Sequence, residues 1–326
     1  MFKRNFWMKP VFILVLSAQL SGLCAQEAAT GQQQVFTGVY LMNLYDLNVN
    51  EYSFYADFYI WFRWKGDRDP SGIEFVNSVE KWGFTTEMFS EEPKELAGGW
   101  MYNGMRIEGR FYYPFALNRF PLDKHELVIQ LENTDYPIDS LIYLPDTSRF
   151  LMRKDFIIPG WEVEKAETAS HTNAYSTDFG TPTGARSVYS NFTFLIHLRR
   201  PLSYFTLKLM LPLLVVILAS LGALFIYPSY IDARISLPIG GLLSCVFLQQ
   251  SYSSALPDVG YMVLMDQIYL LSYLLIAAVI LNVMLSGNKA ATKDGMNFKG
   301  LYNNNKRLAI YLFTGYFLGI ALLIFL

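Results

Sequence analysis

After Arg200 the sequence contains four long apolar segments, and these constrain its fold more than any other feature. They span residues 202–227, 235–256, 261–285 and 308–326. A helix needs ~20 apolar residues to cross the hydrocarbon core of a bilayer, where its backbone must satisfy its own hydrogen bonds. The segments therefore predict an all-α, four-helix transmembrane domain surrounded by membrane lipid.

Residues 1–25 are predicted to be a signal peptide. Basic residues precede the short apolar run 11–20 and small residues follow it, with cleavage expected after or close to Ala25. Cys24 leaves a lipoprotein as the alternative, although the leucine before it fits that processing signal poorly.

Charge predicts the orientation of the helices. The short connection 286–307 carries four lysines and one arginine against a single aspartate. Basic loops stay in the cytoplasm, so the N-terminal domain and the C-terminus are both expected outside. The signal peptide predicts the same orientation independently. The protein is expected to lie in the inner cell membrane and to cross it with several helices.

Residues 26–200 show short strands separated by turns. The run 54–64 is rich in aromatic and β-branched residues and ends at a Lys-Gly-Asp turn, and similar runs follow up to 190–198. This spacing predicts an all-β extracellular domain, an immunoglobulin-like antiparallel sandwich. The long polar stretch 167–188 is either a mobile hairpin or a functional flap.

Composition and motifs argue against other functional classes. A net charge of −2 offers no basic surface for nucleic acid. His125, His171 and His197 lie far apart without metal-ligand spacing, and the sequence has neither a nucleophile motif nor a phosphate-binding glycine loop. If Cys24 is removed, Cys245 is the remaining cysteine and is expected to pack inside an apolar helix. We expect no enzyme activity, no cofactor and no metal.

The second apolar segment has one face that is polar at both ends and apolar in the middle. At a spacing of 4-3-4-3-4 residues this face carries Ser236, Gly240, Leu243, Phe247, Gln250 and Ser254. Such a stripe suits a water-filled pore with a hydrophobic constriction. A helix-packing face of small residues is the alternative. A pore needs several copies of the helix around an axis, as a cyclic oligomer provides.

Asp232 and Arg234 stand at the cytoplasmic start of the same segment. Ionisable residues at this depth are costly unless they face water or each other. A ring of Asp232 side chains at the inner mouth of a pore would favour cations. The alternative is a plain interfacial pair that marks the end of the helix.

Several stretches together resemble the pentameric ligand-gated ion channels of the Cys-loop receptor superfamily. They resemble the bacterial members that lack the Cys-loop disulfide. The matching stretches are Gly38-Val39-Tyr40-Leu41 through Trp64-Lys65, Arg119-Phe120-Pro121-Leu122-Asp123, Gly160-Trp161-Glu162-Val163, Arg200 with Pro212, Leu256-Pro257 and 261–273. The resemblance covers nearly all of the mature chain and implies a homopentamer.

The resemblance implies roles for positions in the pore segment. Leu243 matches the hydrophobic gate of the family, and Phe247 would add a second apolar ring. Asp232 matches a carboxylate of cation-selective bacterial members, and Arg234 matches the basic residue at the cytoplasmic end. Pro238 is unexpected inside this helix because it removes a backbone hydrogen bond.

The resemblance also implies where the two domains communicate. In the family, the positions of Asn48, Pro121, Asp123, Arg200 and Pro257 meet at the domain boundary. We predict that an Asp123–Arg200 pair couples the domains, and an ordinary interface salt bridge is the alternative. Asn48 departs from the family, which commonly has an acidic residue at this position.

The family binds its agonist between subunits, often in an aromatic cage suited to amines. Tyr175 and Phe179 of the flap are the predicted contacts on one subunit, and Tyr59 and Trp61 are those on the next. Taken singly, each is better explained as a core or surface aromatic residue, and their grouping around one predicted cleft makes a ligand site an equal alternative. The segment between Trp64 and Arg119 is shorter than in the family, so the resemblance does not extend to the front wall of this site.

The expected function is a subunit of a homopentameric, cation-selective channel for inorganic ions, opened by a small ligand or by protons. The alternatives are an anion-selective channel, a non-conducting pentameric sensor, or a membrane-anchored binding module or enzyme.

Overall fold

The computed structural model describes residues 31–146, 151–153, 155, 157–180, 187–292 and 298–325. The predicted signal peptide and its cleavage site lie outside these residues, as do positions 181–186 of the predicted flap and 293–297 of the basic connection.

The N-terminal domain consists of two β-sheets, as predicted. The strands are β1 Gln33–Asn48, β2 Ser53–Trp64, β3 Ile73–Phe75, β4 Thr85–Met88, β5 Lys94–Leu96, β6 Trp100–Tyr112, β7 Lys124–Asn133, β8 Leu141–Pro145, β9 Glu162–Ala174 and β10 Val188–Arg199. One sheet has the order β4-β6-β2-β1-β8 with β5 also on β6, and the other has the order β3-β7-β10-β9. The pairing is antiparallel except between β1 and β8, which run parallel.

Aromatic and aliphatic side chains fill the space between the sheets. Along β2 every second residue from Phe54 to Trp64 is buried, as the period of a half-buried strand requires. Leu131 of β7 and Phe194 of β10 belong to the same core. Burying a side chain of this size contributes roughly 1.5–3 kcal/mol. Among the described residues the one cysteine, Cys245, lies on a helix and is free. No disulfide therefore joins the described strands, and the apolar core holds the domain together.

Four helices follow that are long and apolar enough to cross a membrane. The first span begins as a π-helix, Tyr204–Met210, and continues as α1 Leu211–Gly222 and a 3₁₀ turn, Ala223–Phe225. The others are α2 Ile231–Ser253, α3 Leu264–Thr292 and α4 Phe298–Phe325.

Two helices begin earlier than the sequence predicts. α2 starts at Ile231 rather than at 235, so Asp232 and Arg234 lie in its first turn. α4 starts at Phe298 rather than at 308, so much of the predicted connection 286–307 is helical. Hydropathy detects only the part of a helix that lies in lipid, whereas polar residues extend a helix into water without an apolar signal.

The connection between β6 and β7 joins the sandwich to the helices through hydrogen bonds. The N–H groups of Leu264 and Met265, at the start of α3, donate to the carbonyls of Asn118 (3.0 Å) and Phe120 (3.2 Å). The first N–H groups of a helix have no partner within it, so the β-sandwich caps α3. Arg119 Nη2 also donates to the carbonyl of Ile324 near the end of α4, at 2.6 Å.

Candidate functional site

The helix α2 buries one face against the helices of its own subunit. This face carries Arg234, Pro238, Gly241, Cys245 and Tyr252. A Cβ atom added at Gly241 would overlap the hydroxyl of Ser220, so α1 and α2 approach each other closely at this glycine. The unexpected Pro238 lies on this buried face, and α2 continues through it.

The opposite face of α2 carries every predicted pore residue. All seven are exposed in the single subunit: Asp232, Ser236, Gly240, Leu243, Phe247, Gln250 and Ser254. Leu243 is 58% exposed and Phe247 is 66% exposed. A Cβ atom at Gly240 would meet no atom within 4 Å, in contrast to Gly241. The glycine that packs helices within the subunit is therefore Gly241, and the predicted stripe is free to face something else.

Arg234 lies on the far side of α2 from this stripe. Its side chain is completely buried. Nε donates to the carbonyl of Ala223 at 3.2 Å and Nη1 donates to the hydroxyl of Ser286 at 3.3 Å. Ala223 follows the end of α1, where the helix dipole favours a cation. Among the described ion pairs none joins Asp232 to Arg234, and the two residues point in different directions.

Asp123 and Arg200 form a buried ion pair beside the domain boundary. Arg200 Nε lies 2.7 Å from Asp123 Oδ1, and the two side chains are 12% and 1% exposed. The guanidinium also lies 4.1 Å from the ring centre of Trp161 and 4.9 Å from that of Phe120. Such a desolvated, aromatic-lined pair differs from a surface salt bridge, and removal of one partner is typically costly.

His125 is a member of this cluster that the sequence did not reveal. Its Nε2 lies 2.7 Å from Asp123 Oδ2, and both side chains are buried. The one sequence signal that His125 is buried is its place on β7, where alternate residues, starting with His125, face the core.

A second contact missed from the sequence continues from the cluster to the helices. The rings of Phe120 and Tyr252 stack with centroids 6.2 Å apart. The Tyr252 hydroxyl donates to Asp266, whose other oxygen accepts the N–H of Val263 at 3.1 Å. The turn that holds Asp123 thereby contacts the end of α2 and the start of α3.

The other predicted coupling residues are less closely connected. Asn48 Oδ1 accepts the N–H groups of Asn50 and Glu51, so its described hydrogen bonds close the turn between β1 and β2. Pro121 follows Phe120 within the β6–β7 turn, and Pro257 lies in the connection between α2 and α3.

The flap aromatics line a cavity of about 380 Å³ on the second sheet. We call it the ligand cavity; it is lined by Glu74, Glu132, Asn133, Thr134, Tyr175, Phe179 and Tyr189. The ring centroid of Tyr175 lies 5.2 Å from that of Phe179 and 6.0 Å from that of Tyr189. Within one subunit, the predicted contacts Tyr59 and Trp61 are not in this cavity. They lie on β2, near Arg106 and Asp146 respectively.

A buried carboxylate forms the back of the ligand cavity. Glu132 is 1% exposed. It accepts hydrogen bonds from Asn173 (2.7 Å), Asn191 (2.8 Å) and the Tyr175 hydroxyl (2.9 Å). Burial, followed by the hydrogen bond to Glu132, raises the pKa of Tyr175 to about 12. These three donors are neutral, so they orient the carboxylate without cancelling its charge.

Glu74 on β3 stands directly opposite Glu132 on β7. Two carboxylates beside three aromatic rings form an environment that attracts an organic cation. Among the described residues, no group of three or more His, Cys, Asp or Glu could hold a metal ion.

Comparison with curated proteins finds relatives among receptor subunits, while no family model matches the chain. It is 22% identical over 185 residues to the gamma-aminobutyric acid receptor subunit beta of Lymnaea stagnalis, which covers 56% of this chain and 35% of the relative. It is 21% identical over 265 residues to the gamma-aminobutyric acid receptor subunit alpha-2 of Bos taurus, and this match covers 72% of this chain and 55% of the relative. It is 25% identical over 171 residues to the glycine receptor subunit beta of Rattus norvegicus, covering 52% and 33%.

The matched regions thus span a third to just over half of the length of these relatives. The chain is related to receptor subunits rather than to enzymes, and its β-domain followed by four helices that could span a membrane is the predicted fold class.

Proposed function

We propose that the chain is one subunit of a homopentameric ligand-gated ion channel in the inner membrane, with the sandwich outside. The observation that carries this proposal is the division of α2 into two faces. One face packs against its own subunit, and the other presents the Ser236–Ser254 stripe outward. Neither cysteine of the sequence lies near the β6–β7 turn, which supports the type without a Cys-loop disulfide.

Leu243 and Phe247 are the proposed gate. Rings of these side chains around a narrow axis exclude water, so hydrated ions are stopped until the helices move apart. Leu243→Ser is expected to produce a standing current without agonist. The matched control is Leu242→Ser, because Leu242 lies off the stripe and is partly buried. Equal currents from both variants would contradict the assignment of the pore face.

Asp232 is the proposed selectivity residue, and the pore passes cations. The burial of Arg234 away from the stripe supports this, because it leaves the carboxylate as the charged group on the exposed face at the inner end. Reversal potentials under a salt gradient decide between cation and anion selectivity.

The proposed agonist is a small organic cation, such as a primary amine, bound at Glu132 in the ligand cavity. The aromatic rings and the buried carboxylate support this chemistry better than they support an anionic ligand. Binding would favour the open state if the cavity holds the cation more tightly in that state.

The Asp123–Arg200 pair is the proposed link between the ligand cavity's domain and the pore. Arg200 is followed by the first membrane-crossing span, and Asp123 ends the turn that caps α3. Arg200→Ala is expected to abolish gating while pentamers persist. Unchanged ligand responses in this variant would contradict the role.

The test of the whole proposal is current recording from purified protein in planar bilayers, with a series of amines and with pH steps. Agonist-evoked currents that reverse toward the cation equilibrium potential are expected. Pentamers that bind amines but pass no current would instead identify a non-conducting sensor.

A further inference from the structure

A second cavity, of about 430 Å³, opens at the edge of the sandwich beside the ligand cavity. We call it the edge cavity. Its walls include Glu74, Phe75, Phe84, Met88, Met105 and Ile107, which come from both sheets and from the connection between β3 and β4. β3 and β4 are three and four residues long, so the sheets are incompletely closed at this edge. The volume is in the range of sites for small organic molecules.

The aromatic wall of the edge cavity is held in one position. Phe75 and Phe84 stack with centroids 5.5 Å apart. Each also meets Phe111 edge-on, at 5.3 Å. A Cβ atom at Gly109 would overlap the ring of Phe84, so this ring requires a glycine beneath it. A wall packed in this way is organised before any ligand arrives.

The remaining walls define the chemistry of an occupant. Among the described residues that line the edge cavity, Glu74 is the charged one. Met88 and Met105 supply polarizable surface that adapts to different shapes. A carboxylate at the rim of an aromatic and methionine-lined cavity matches a molecule with an ammonium group and an apolar body.

The edge cavity and the ligand cavity share two lining residues, Glu74 and Thr134. A cation in one cavity therefore lies close to a cation in the other, and like charges repel. By linkage, each cation must lower the affinity for the other by the same factor.

We propose that the edge cavity is a second binding site, for an amphipathic organic cation, and that its occupant opposes cation binding in the ligand cavity. The binding site is independent of whether the chain conducts ions. The opposition to cation binding in the ligand cavity, and the inhibition of gating that follows from it, rest on the proposed function.

The test uses Met88→Cys in the full-length protein in detergent, with Cys24→Ser so that Cys245 is the one other thiol of the chain. Met88 is 43% exposed, whereas Cys245 is buried. The rate of modification by methyl methanethiosulfonate is measured with 2-phenylethylammonium, with neutral 2-phenylethanol, and with neither. The ammonium probe is expected to slow modification about fivefold more than the alcohol does.

Variants separate the two cavities. Glu132→Gln alters the ligand cavity alone and is expected to leave the protection intact, whereas Thr86→Trp, which fills the mouth of the edge cavity, is expected to remove it. Gly109→Ala, which displaces Phe84, should also remove the protection. If Gly109→Ala fails to fold, Thr86→Trp alone tests whether protection depends on the edge cavity.

Three results would overturn the proposal. The first is that the reagent does not modify the thiol of Met88→Cys. The second is equal protection by the charged and the neutral probe, and the third is loss of the protection in Glu132→Gln. Each of these can be read without any current recording, so they are distinct from a failure of the channel proposal.

Discussion

Two arginines stand at the ends of the four-helix domain, and they are held in opposite ways. At the sandwich end, beside the β-domain, Arg200 follows β10 and pairs with Asp123 of the β6–β7 turn, and it lies over the ring of Trp161. At the far end Arg234 has neutral partners, a carbonyl that follows α1 and a serine of α3, and its Nη2 has no hydrogen-bond partner among the described residues. Charge holds the entry to the first helix against the turn that caps α3, whereas hydrogen bonds hold three helices together around Arg234.

This difference predicts how movement is divided. The Asp123–Arg200 pair joins the residue that leads into the first helix to the turn that caps α3, so motion of either one relative to the other alters the pair. Hydrogen bonds within one bundle move with that bundle. We therefore expect the sandwich end to respond to ligand and the far end to hold the helices in register.

The largest effect is expected for Arg200→Met. It leaves Asp123 buried without its cation, which costs about 3–5 kcal/mol for a pair of this kind. Thermal unfolding of the purified protein in detergent measures the loss. Asp123→Asn in the same chain should recover part of it, because the stranded charge is then gone. Arg199→Met is the matched control, since Arg199 is half exposed and pairs at the surface.

The same substitution at the far end, Arg234→Met, is expected to cost about 1 kcal/mol or less. It removes two hydrogen bonds but also removes a buried charge whose desolvation opposes folding. The reversal potential should stay unchanged, because Arg234 does not share the exposed face of α2. A loss as large as that of Arg200→Met would remove the contrast between the two ends.

Tyr175→Phe tests the ligand cavity, which is proposed to control the sandwich end. The variant removes one hydrogen bond to Glu132 and should weaken amine binding about threefold to tenfold, measured by titration calorimetry. With its pKa raised to about 12, Tyr175 keeps its proton from about pH 6 to pH 9, and the hydrogen bond is lost only as pH rises toward that value. The weakening should therefore be constant over this range. A weakening that fades toward pH 9 would contradict this role of the hydroxyl.

Asp232→Ala is expected to change stability least, within about 0.5 kcal/mol, because the side chain is exposed. It should nevertheless reduce cation preference in reversal-potential measurements. Unchanged selectivity would contradict the proposal that this carboxylate sets the charge of the inner mouth.

The sequence predicts the sandwich and the four helices better than it predicts the contacts between individual side chains. The period of β2 and the apolar runs after Arg200 identify the sandwich and the helices, because burial in a core or in lipid imposes a pattern on neighbouring residues. The Asp123–Arg200 contact was expected through a family resemblance, and the two residues lie 77 positions apart.

His125 and Glu132 escaped prediction for a physical reason. Each is a polar residue on a strand, and its importance depends on partners from other strands, such as Asn173 and Asn191 for Glu132. No local pattern encodes a partner that arrives through tertiary folding. The direction of Arg234 was missed likewise, because α2 begins before its apolar signal does.

The capping of α3 by Asn118 and Phe120 has a consequence for how the molecule is made. The first turn of this helix is completed by carbonyl groups that belong to the β-sandwich domain. Until the sandwich has docked, those donors must be satisfied by water, and the first turn of α3 is free to fray. A bundle expressed without the sandwich would thus keep its four helices but lose the fixed start of α3.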